Sequence, residues 1–249
     1  MADGIVTRSE AGIARIHIDR PEKKNALTTA MYAGMAEALE AAERDDDVRV
    51  ALLQGGTDFT AGNDLQDFMM ASMSGASFED LPVLRFLARL RDCKKPVVAA
   101  VRGNAIGIGT TMLLHCDVVV AGAEARFRLP FVQLGLVPEA GSSLLLSLAV
   151  GRMRANWLLM SGDFFYAPEA AAMGLVTRVV DENAVDQTAE ELAGLLAALP
   201  PIALRETKRL IREPYAAQVA AQMDEEARAF SKRLTSDEFR AAAMKLLSR

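Results

Sequence analysis

The chain has 249 residues, 51% hydrophobic and 24% charged, a balance that suits a globular protein with a sizeable core and excludes a disordered chain. Its net charge of −5 argues against nucleic acid as a partner, while clusters at Arg20, Lys23 and Lys24 and at Lys94 and Lys95 leave room for an anionic small molecule. Two cysteines, Cys93 and Cys116, without CxxC or Cys/His ligand spacing argue against a disulfide framework and a structural zinc site, and read as small core residues in a reducing compartment.

In chain order, the N-terminus Met1-Ala2-Asp3-Gly4 carries no basic stretch followed by an apolar one, so no secretory leader is expected. Ile5–Ser9 and Ile13–Ile18 alternate in character around Glu10-Ala11-Gly12 and predict a hairpin, ended by Arg20-Pro21. From Thr28 to about Asp45, Met31, Met35, Ala38, Leu39 and Ala42 recur at helical spacing. Val48–Gln54 reads as a buried strand closed by Gly55-Gly56. The order then repeats: Lys95-Pro96 introduces the strand Val97–Val101, a glycine-rich turn follows, and a short helix runs through Met112 and Leu114. Asp117–Gly122 and Val176–Asp181 read as further strands. Strands alternating with helices imply an α/β fold with a largely parallel, helix-covered sheet.

Beyond about Ala184 the pattern turns helical: Ala184–Leu199, Ile202–Arg212 and Tyr215–Leu234, separated by Pro200-Pro201 and Pro214, then a last helix over Asp237–Leu247. Such an appendage has an apolar face in need of a partner, in another subunit or on its own body. No run approaches the ~18 apolar residues of a membrane span. The C-terminal Leu246-Leu247-Ser248-Arg249 is not a peroxisomal tripeptide, and a cytoplasmic location is the expectation.

Two glycine-containing turns, Thr60–Leu65 and Gly103–Gly109, each follow a buried strand and enter a helix, which aims backbone N–H groups at one point. Neither fits a dinucleotide or P-loop fingerprint, so an anion cradle and a plain tight connection both remain open. The two histidines, His17 and His115, lie outside any Gly-x-Ser-x-Gly elbow and read as structural. Among the carboxylates, Glu139 stands apart, in the otherwise uncharged stretch Leu134–Ser143 at a helix start. Pro138 followed by an acid is also ordinary N-terminal helix chemistry.

With these segments the chain resembles the enoyl-CoA hydratase/isomerase (crotonase) superfamily over essentially its full length. The resemblance is carried by Ile18-Asp19-Arg20-Pro21, Lys24-Asn25-Ala26-Leu27, Phe59–Leu65, Lys95–Val101, Gly103–Gly109, Cys116-Asp117 and Ala171–Val176. It implies a spiral of ββα units over residues 1–195, holding a CoA-ester site. A helical oligomerisation region over 196–249 would assemble homotrimers or dimers of trimers. It implies an acyl-CoA thioester as substrate, with no cofactor beyond the coenzyme A that the substrate carries; RNA binding, found on this fold, is disfavoured by the acidic charge balance, and ligand spacing and hydropathy argue against a metal and a membrane partner. By the same resemblance the N–H groups of Asn63 and Ile108 form an oxyanion hole around the thioester carbonyl. Lys24, Ala26, Ala61, Asn63, Asp64 and Leu65 lie at the CoA site.

The positions where hydratases of the family carry two glutamates hold Thr111 and Phe131, neither of which can act as a base. Pro138-Glu139-Ala140-Gly141-Ser142-Ser143 is instead similar to the acid-bearing segment of peroxisomal-type Δ3,Δ2-enoyl-CoA isomerases, a branch that also resembles this chain at Gly62–Leu65 and in the aliphatic Ile108. The resemblance therefore implies a fatty-acid-metabolism isomerase in which Glu139 shuttles one proton. Hydration, hydrolysis or another lyase reaction served by Glu139 or Asp64, or catalytically silent CoA-ester binding, are the alternatives. Burial is expected to raise the Glu139 pKa and the helix N-terminus to lower it. The segment Leu65–Met73, rich in methionine, is expected either to adapt to acyl tails or to pack as ordinary core.

Overall fold

The computed structural model describes residues 3–73 and 81–247. The expected hairpin forms: β1 (Ile5–Glu10) pairs antiparallel with β2 (Ile13–Ile18). After helix α1 (Thr29–Arg44), strands β3 (Val50–Gly55), β4 (Val97–Val101), β6 (Val118–Gly122) and β9 (Arg178–Val180) add in parallel, giving a six-stranded sheet in the order β1-β2-β3-β4-β6-β9. A smaller sheet stands beside it, with β5 (Asn104–Ile106) parallel to β7 (Arg126–Arg128), and β7 antiparallel to β8 (Phe165–Tyr166). Each turn of chain deposits one strand in the main sheet and, from β4 onward, a short one in the small sheet.

At β3, β4 and β6 both faces of the main sheet are buried, which is why these strands read as continuous apolar runs rather than alternations. Successive residues still divide by period two. Ala51, Leu53, Ala99 and Ala121 join the large core beneath α1 and α3 (Pro82–Asp92). Val50, Leu52, Val98, Ala100 and Val120 join a second core on the opposite face. That second face is covered by α8 (Val185–Ala197), whose Val185, Ala189 and Ala193 are fully buried four residues apart. Small side chains at this spacing let the helix lie close to the strands, so the first helix expected of the appendage is part of the sheet's own body.

The remaining helices are α2 (Leu65–Met73), the short α4 (Ile108–Thr111), α5 (Ser142–Val150), α6 (Arg152–Ser161), α7 (Ala167–Ala172), α9 (Pro201–Leu234) and α10 (Asp237–Leu247). The expected break at Pro214 does not occur, and α9 runs 34 residues through it. Proline removes one i→i−4 bond, here to the carbonyl of Leu210. Residues 209–211 and 213–218 are exposed, so water meets that carbonyl. The helix is held on both sides of the proline. Before it, Lys208 Nζ and Arg212 Nη2 each reach Asp117 at 2.7 Å. After it, Val219, Met223, Glu226, Phe230 and Leu234 bury one stripe against the body of the chain. Among the described residues, no helix is long and apolar enough to cross a membrane.

Candidate active site

The two glycine turns are stitched to each other by backbone bonds. The Thr60 amide donates to the Asn104 carbonyl at 2.8 Å, and the Ile106 amide donates back to Thr60 O at 3.0 Å. On the other side, the Ala61 amide donates to Lys24 O at 2.9 Å, Leu27 N–H to Gly62 O at 2.8 Å and Asp64 N–H to Leu27 O at 2.9 Å. The first turn is therefore a short ribbon clamped between residues 24–27 and β5. Two glycines permit this approach. Gly62 has φ +92°, and a Cβ there would meet Ile106 O at 2.8 Å; one at Gly109 would meet Thr60 Cγ2 at 2.6 Å.

Among the amides that the clamp leaves unbonded, two share a cavity. No backbone acceptor is found among the described residues for the N–H of Asn63 or of Ile108, the first residue of α4. Both residues line a cleft of about 620 Å³ and also a small adjoining cavity of about 30 Å³. The side chain of Asn63 is fixed separately, its Oδ1 accepting from the buried Tyr32 hydroxyl.

Glu139 lines the small cavity with Asn63 and Ile108. Burial raises its pKa to about 8; the Thr111 hydroxyl, which donates to Glu139 Oε1, restrains the rise, and the nearby Glu226 carboxylate adds to it. Desolvation thus prevails over the helix-terminus effect, for a geometric reason. The amides at the start of α5 point at Glu226 of α9: Gly141 N–H donates to its Oε2 at 2.6 Å and Ser143 N–H to its Oε1 at 2.9 Å. Glu139 receives none of these bonds. Its own segment is strained, since Ala140 has φ +63° without being glycine. The Ala140 carbonyl is held in place by His115, which donates Nε2–H to it at 2.7 Å. Burial lowers the His115 pKa to about 4, so the ring is neutral at pH 7. The structural reading of His115 holds, with a place directly behind the acid.

Of the residues expected at a CoA site, Ala61, Asn63 and Leu65 line the cleft, whereas Lys24, Ala26 and Asp64 are not among its lining residues. Lys24 is exposed and touches the site through its carbonyl on Ala61. Arg20 ties the other two together, donating from Nη1 to Ala26 O at 2.9 Å and to Asp64 Oδ2 at 2.8 Å. Burial works against ionisation of Asp64, but Arg20 and the amides of Asp67 and Gln66 together hold its pKa below the ordinary carboxylate value. That makes it a poor base and a cap for α2. Lys95, one of the cations considered for a ligand, is buried and caps the C-terminal end of α1, reaching Ala42 O at 2.7 Å and Asp45 O at 2.6 Å.

Thr111 and Phe131 are both buried, and Phe131 lines the cleft. The cleft is completed by residues that sequence reasoning did not assign to a site: Phe230 of α9 and Ala241, Ala242 and Lys245 of α10. The i, i+4, i+7 stripe of α9 marks Phe230 as inward-facing, but nothing in the spacing says that it faces a cleft. In α2, Met69 packs partly against the core and Met70 is exposed, while the side chain of Met73 lies outside the described residues. Cys93 and Cys116 are free thiols that burial pushes up to about 11 and about 12, so both are inert.

The family profile described as Enoyl-CoA hydratase/isomerase matches residues 8–247. The chain belongs to the enoyl-CoA hydratase/isomerase family. It is 36% identical over 229 residues to 1,2-epoxyphenylacetyl-CoA isomerase of Escherichia coli K12, covering 90% of this chain and 87% of that protein. It is 38% identical over 249 residues to enoyl-CoA delta isomerase 2 of Rattus norvegicus, covering 99% of this chain but only 64% of the length of the rat protein. Hydratases are named among the relatives as well. Among solved structures, that of Pseudomonas aeruginosa OdaA superposes with a TM-score of 0.95 at 44% identity, over 100% of both chains. The family's crotonase fold, expected from the motifs, is thus the fold of this chain, and an enzyme of the hydratase/isomerase class is its activity.

Proposed function

We propose that the protein shifts the double bond of a 3-enoyl-CoA thioester to the 2-position, with Glu139 as the single proton carrier. The observation that carries this reading is that Glu139 is the only carboxylate among the described residues lining the cavity it shares with Asn63 and Ile108. In this mechanism the thioester oxygen accepts hydrogen bonds from the Asn63 and Ile108 amides. Glu139, as carboxylate, takes a proton from the α carbon, and the resulting negative charge spreads from that oxygen over the dienolate. Loss of one such preorganised donor typically costs ~10²–10³ in rate. The Glu139 carboxylic acid then returns the proton to the γ carbon, and the double bond rests in conjugation with the carbonyl.

One acid suffices, because the proton removed is given back and no water is consumed. A base whose pKa is raised to about 8 has the affinity to take an α-proton and the readiness to release it near neutral pH. Phe131 on the wall of the cleft, where a second acid would serve hydration, favours a dry reaction path. We place the pantetheine end of coenzyme A against Ala61, Asn63 and Leu65, with Lys24, Ala26 and Asp64 supporting that wall from behind. A homotrimer or dimer of trimers is the assembly inferred, in keeping with the exposed Met153, Trp157 and Met160 on α6.

Parallel assays test the reading: conversion of short, medium and long 3-enoyl-CoAs beside hydration of 2-enoyl-CoAs. Isomerisation abolished in Glu139→Gln, with acyl-CoA binding retained, is the expected result. Hydration faster than isomerisation in the unaltered protein would replace the reading with a hydratase. Binding of acyl-CoA with no turnover of any substrate would leave a CoA-ester-binding protein.

A further inference from the structure

Glu226 sits on α9, 87 residues after Glu139 in the chain, and is 5% exposed. A carboxylate so buried needs donors, and it has three: Gly141 N–H at 2.6 Å, Ser143 N–H at 2.9 Å and the Ser143 hydroxyl. Gln222 Nε2, one turn earlier on α9, donates to the same Ser143 hydroxyl oxygen at 2.8 Å. These contacts bind the long helix to the start of α5, immediately after the strained Ala140.

We propose that Glu226 is a positioning residue for Glu139, a fixed carboxylate on the C-terminal helix that keeps the shuttle basic by occupying the α5 terminus and by placing a like charge beside it. Two physical effects act in the same direction. The amides and partial positive charge of a helix start favour an ionised carboxylate. With Glu226 taking them, Glu139 is left with the Thr111 hydroxyl as its hydrogen-bond partner. A second negative charge nearby then disfavours ionisation of Glu139 further.

The other titratable groups around the acid carry no charge at neutral pH. Tyr32, on α1, has its pKa pushed well above the ordinary phenol value by burial. His115, behind Ala140, is neutral. From α4 come Ile108 and the Thr111 hydroxyl, neither charged, and α3 presents Val83, Leu84 and Leu87 to the same cavity. From α9, Met223, Ala227 and Phe230 are apolar, and Glu226, held on the amides two and four residues beyond Glu139, acts on it through its charge. Burial raises the pKa of Glu226 itself, and its three donors oppose that rise and favour its anionic form.

The proposal rests on Glu139 being the proton carrier, so its test is read first in substrate-free protein, where turnover plays no part. The titration midpoint of Glu139 is measured by carbon-13 carboxyl NMR in the unaltered protein, in Glu226→Gln and in Glu226→Asp. Glu226→Gln is expected to lower the midpoint by about one unit. Glu226→Asp keeps the charge and should move it much less, whatever either substitution does to the melting temperature. In the isomerisation assay the acid limb of kcat should shift with the midpoint, while KM changes little. A midpoint unmoved in Glu226→Gln, or moved equally in both variants, would overturn the proposal and leave Glu226 as a helix cap alone. A shifted midpoint without isomerase activity would retain the coupling and instead remove the proposed reaction.

Discussion

The two halves of the site are built in different ways. The glycine turns at residues 60–65 and 103–109 are held by backbone bonds to each other and to residues 24–27, and their geometry depends on the missing Cβ of Gly62 and Gly109. The segment 138–143 that carries the acid is held by side chains from remote elements: Thr111 from α4, His115 from the turn after it, and Glu226 from α9. A backbone-built cradle is rigid and has a local sequence signature. A side-chain-built mount can be retuned by single substitutions, and its parts are scattered along the chain. On the proposed mechanism, the cradle would hold the thioester oxygen and the mount would set the proton transfer.

Glu139→Gln probes the acid half most severely. It is expected to cut isomerisation by about 10²–10⁴, the usual worth of a positioned base, measured as kcat on a 3-enoyl-CoA. Stability should change the other way. A carboxyl whose pKa rises on folding from its ordinary 4.5 to about 8 holds a proton in the folded state that the unfolded chain has lost. Its contribution is therefore full below about 4.5 and is lost progressively as pH rises to about 8. Thermal unfolding should show Glu139→Gln gaining on the unaltered protein between pH 5 and pH 9, by on the order of 5 kcal/mol at the alkaline end. A gap that stays constant across that range would show that the carboxyl is not raised.

The cradle half is broken by Gly62→Ala. Its Cβ would stand 2.8 Å from Ile106 O at a φ of +92°, which forces the two turns apart. A loss of about 1–3 kcal/mol in chemical denaturation is expected from the strained backbone. Isomerisation should fall by about 10², because the Asn63 amide moves with the turn. Unlike the acid variant, this one loses both stability and rate.

How far the sequence revealed each half follows from the same contrast. The hairpin, α1, the parallel strands and both turns were legible because their signals are local: alternation, helical spacing, glycine at a positive φ. Asn63 and Ile108 were named by the family resemblance, which those turns help to carry. Glu139 was legible as an isolated acid, but its environment was not. Nothing near residue 226 signals that its carboxylate takes the α5 amides, and Thr111 was read only as a missing acid when its hydroxyl serves the acid that remains. Pro214 misled for a related reason, since a proline predicts a break unless tertiary anchors such as Lys208 and Val219 hold both sides.

Smaller effects sharpen the comparison. Thr111→Val removes the one hydrogen bond that restrains the Glu139 pKa, so the acid limb of kcat should move to higher pH, and activity at pH 7 should fall by about tenfold. The pH profile of the unaltered protein should itself rise with a midpoint near pH 8, where half of Glu139 is carboxylate, to a plateau above it. The smallest change belongs to Pro214→Ala, on the exposed stretch of α9. It restores one helical bond and should raise the unfolding free energy by about 1 kcal/mol, with kcat within a factor of about two.

The last feature with consequences is the wall of the cleft supplied by Phe230, Ala241, Ala242 and Lys245. Along the chain both glycine turns and Glu139 come more than 80 residues before Glu226 of α9, which takes the α5 amides, and the last strand of the main sheet, β9, ends 46 residues before it. Until α9 docks, Glu139 lacks the apolar wall of Met223, Ala227 and Phe230, and the α5 amides lack the carboxylate that takes them. The cleft likewise lacks one wall until Phe230 of α9 and Ala241, Ala242 and Lys245 of α10 dock on the body of the fold, so its completion depends on the two helices that follow the sheet.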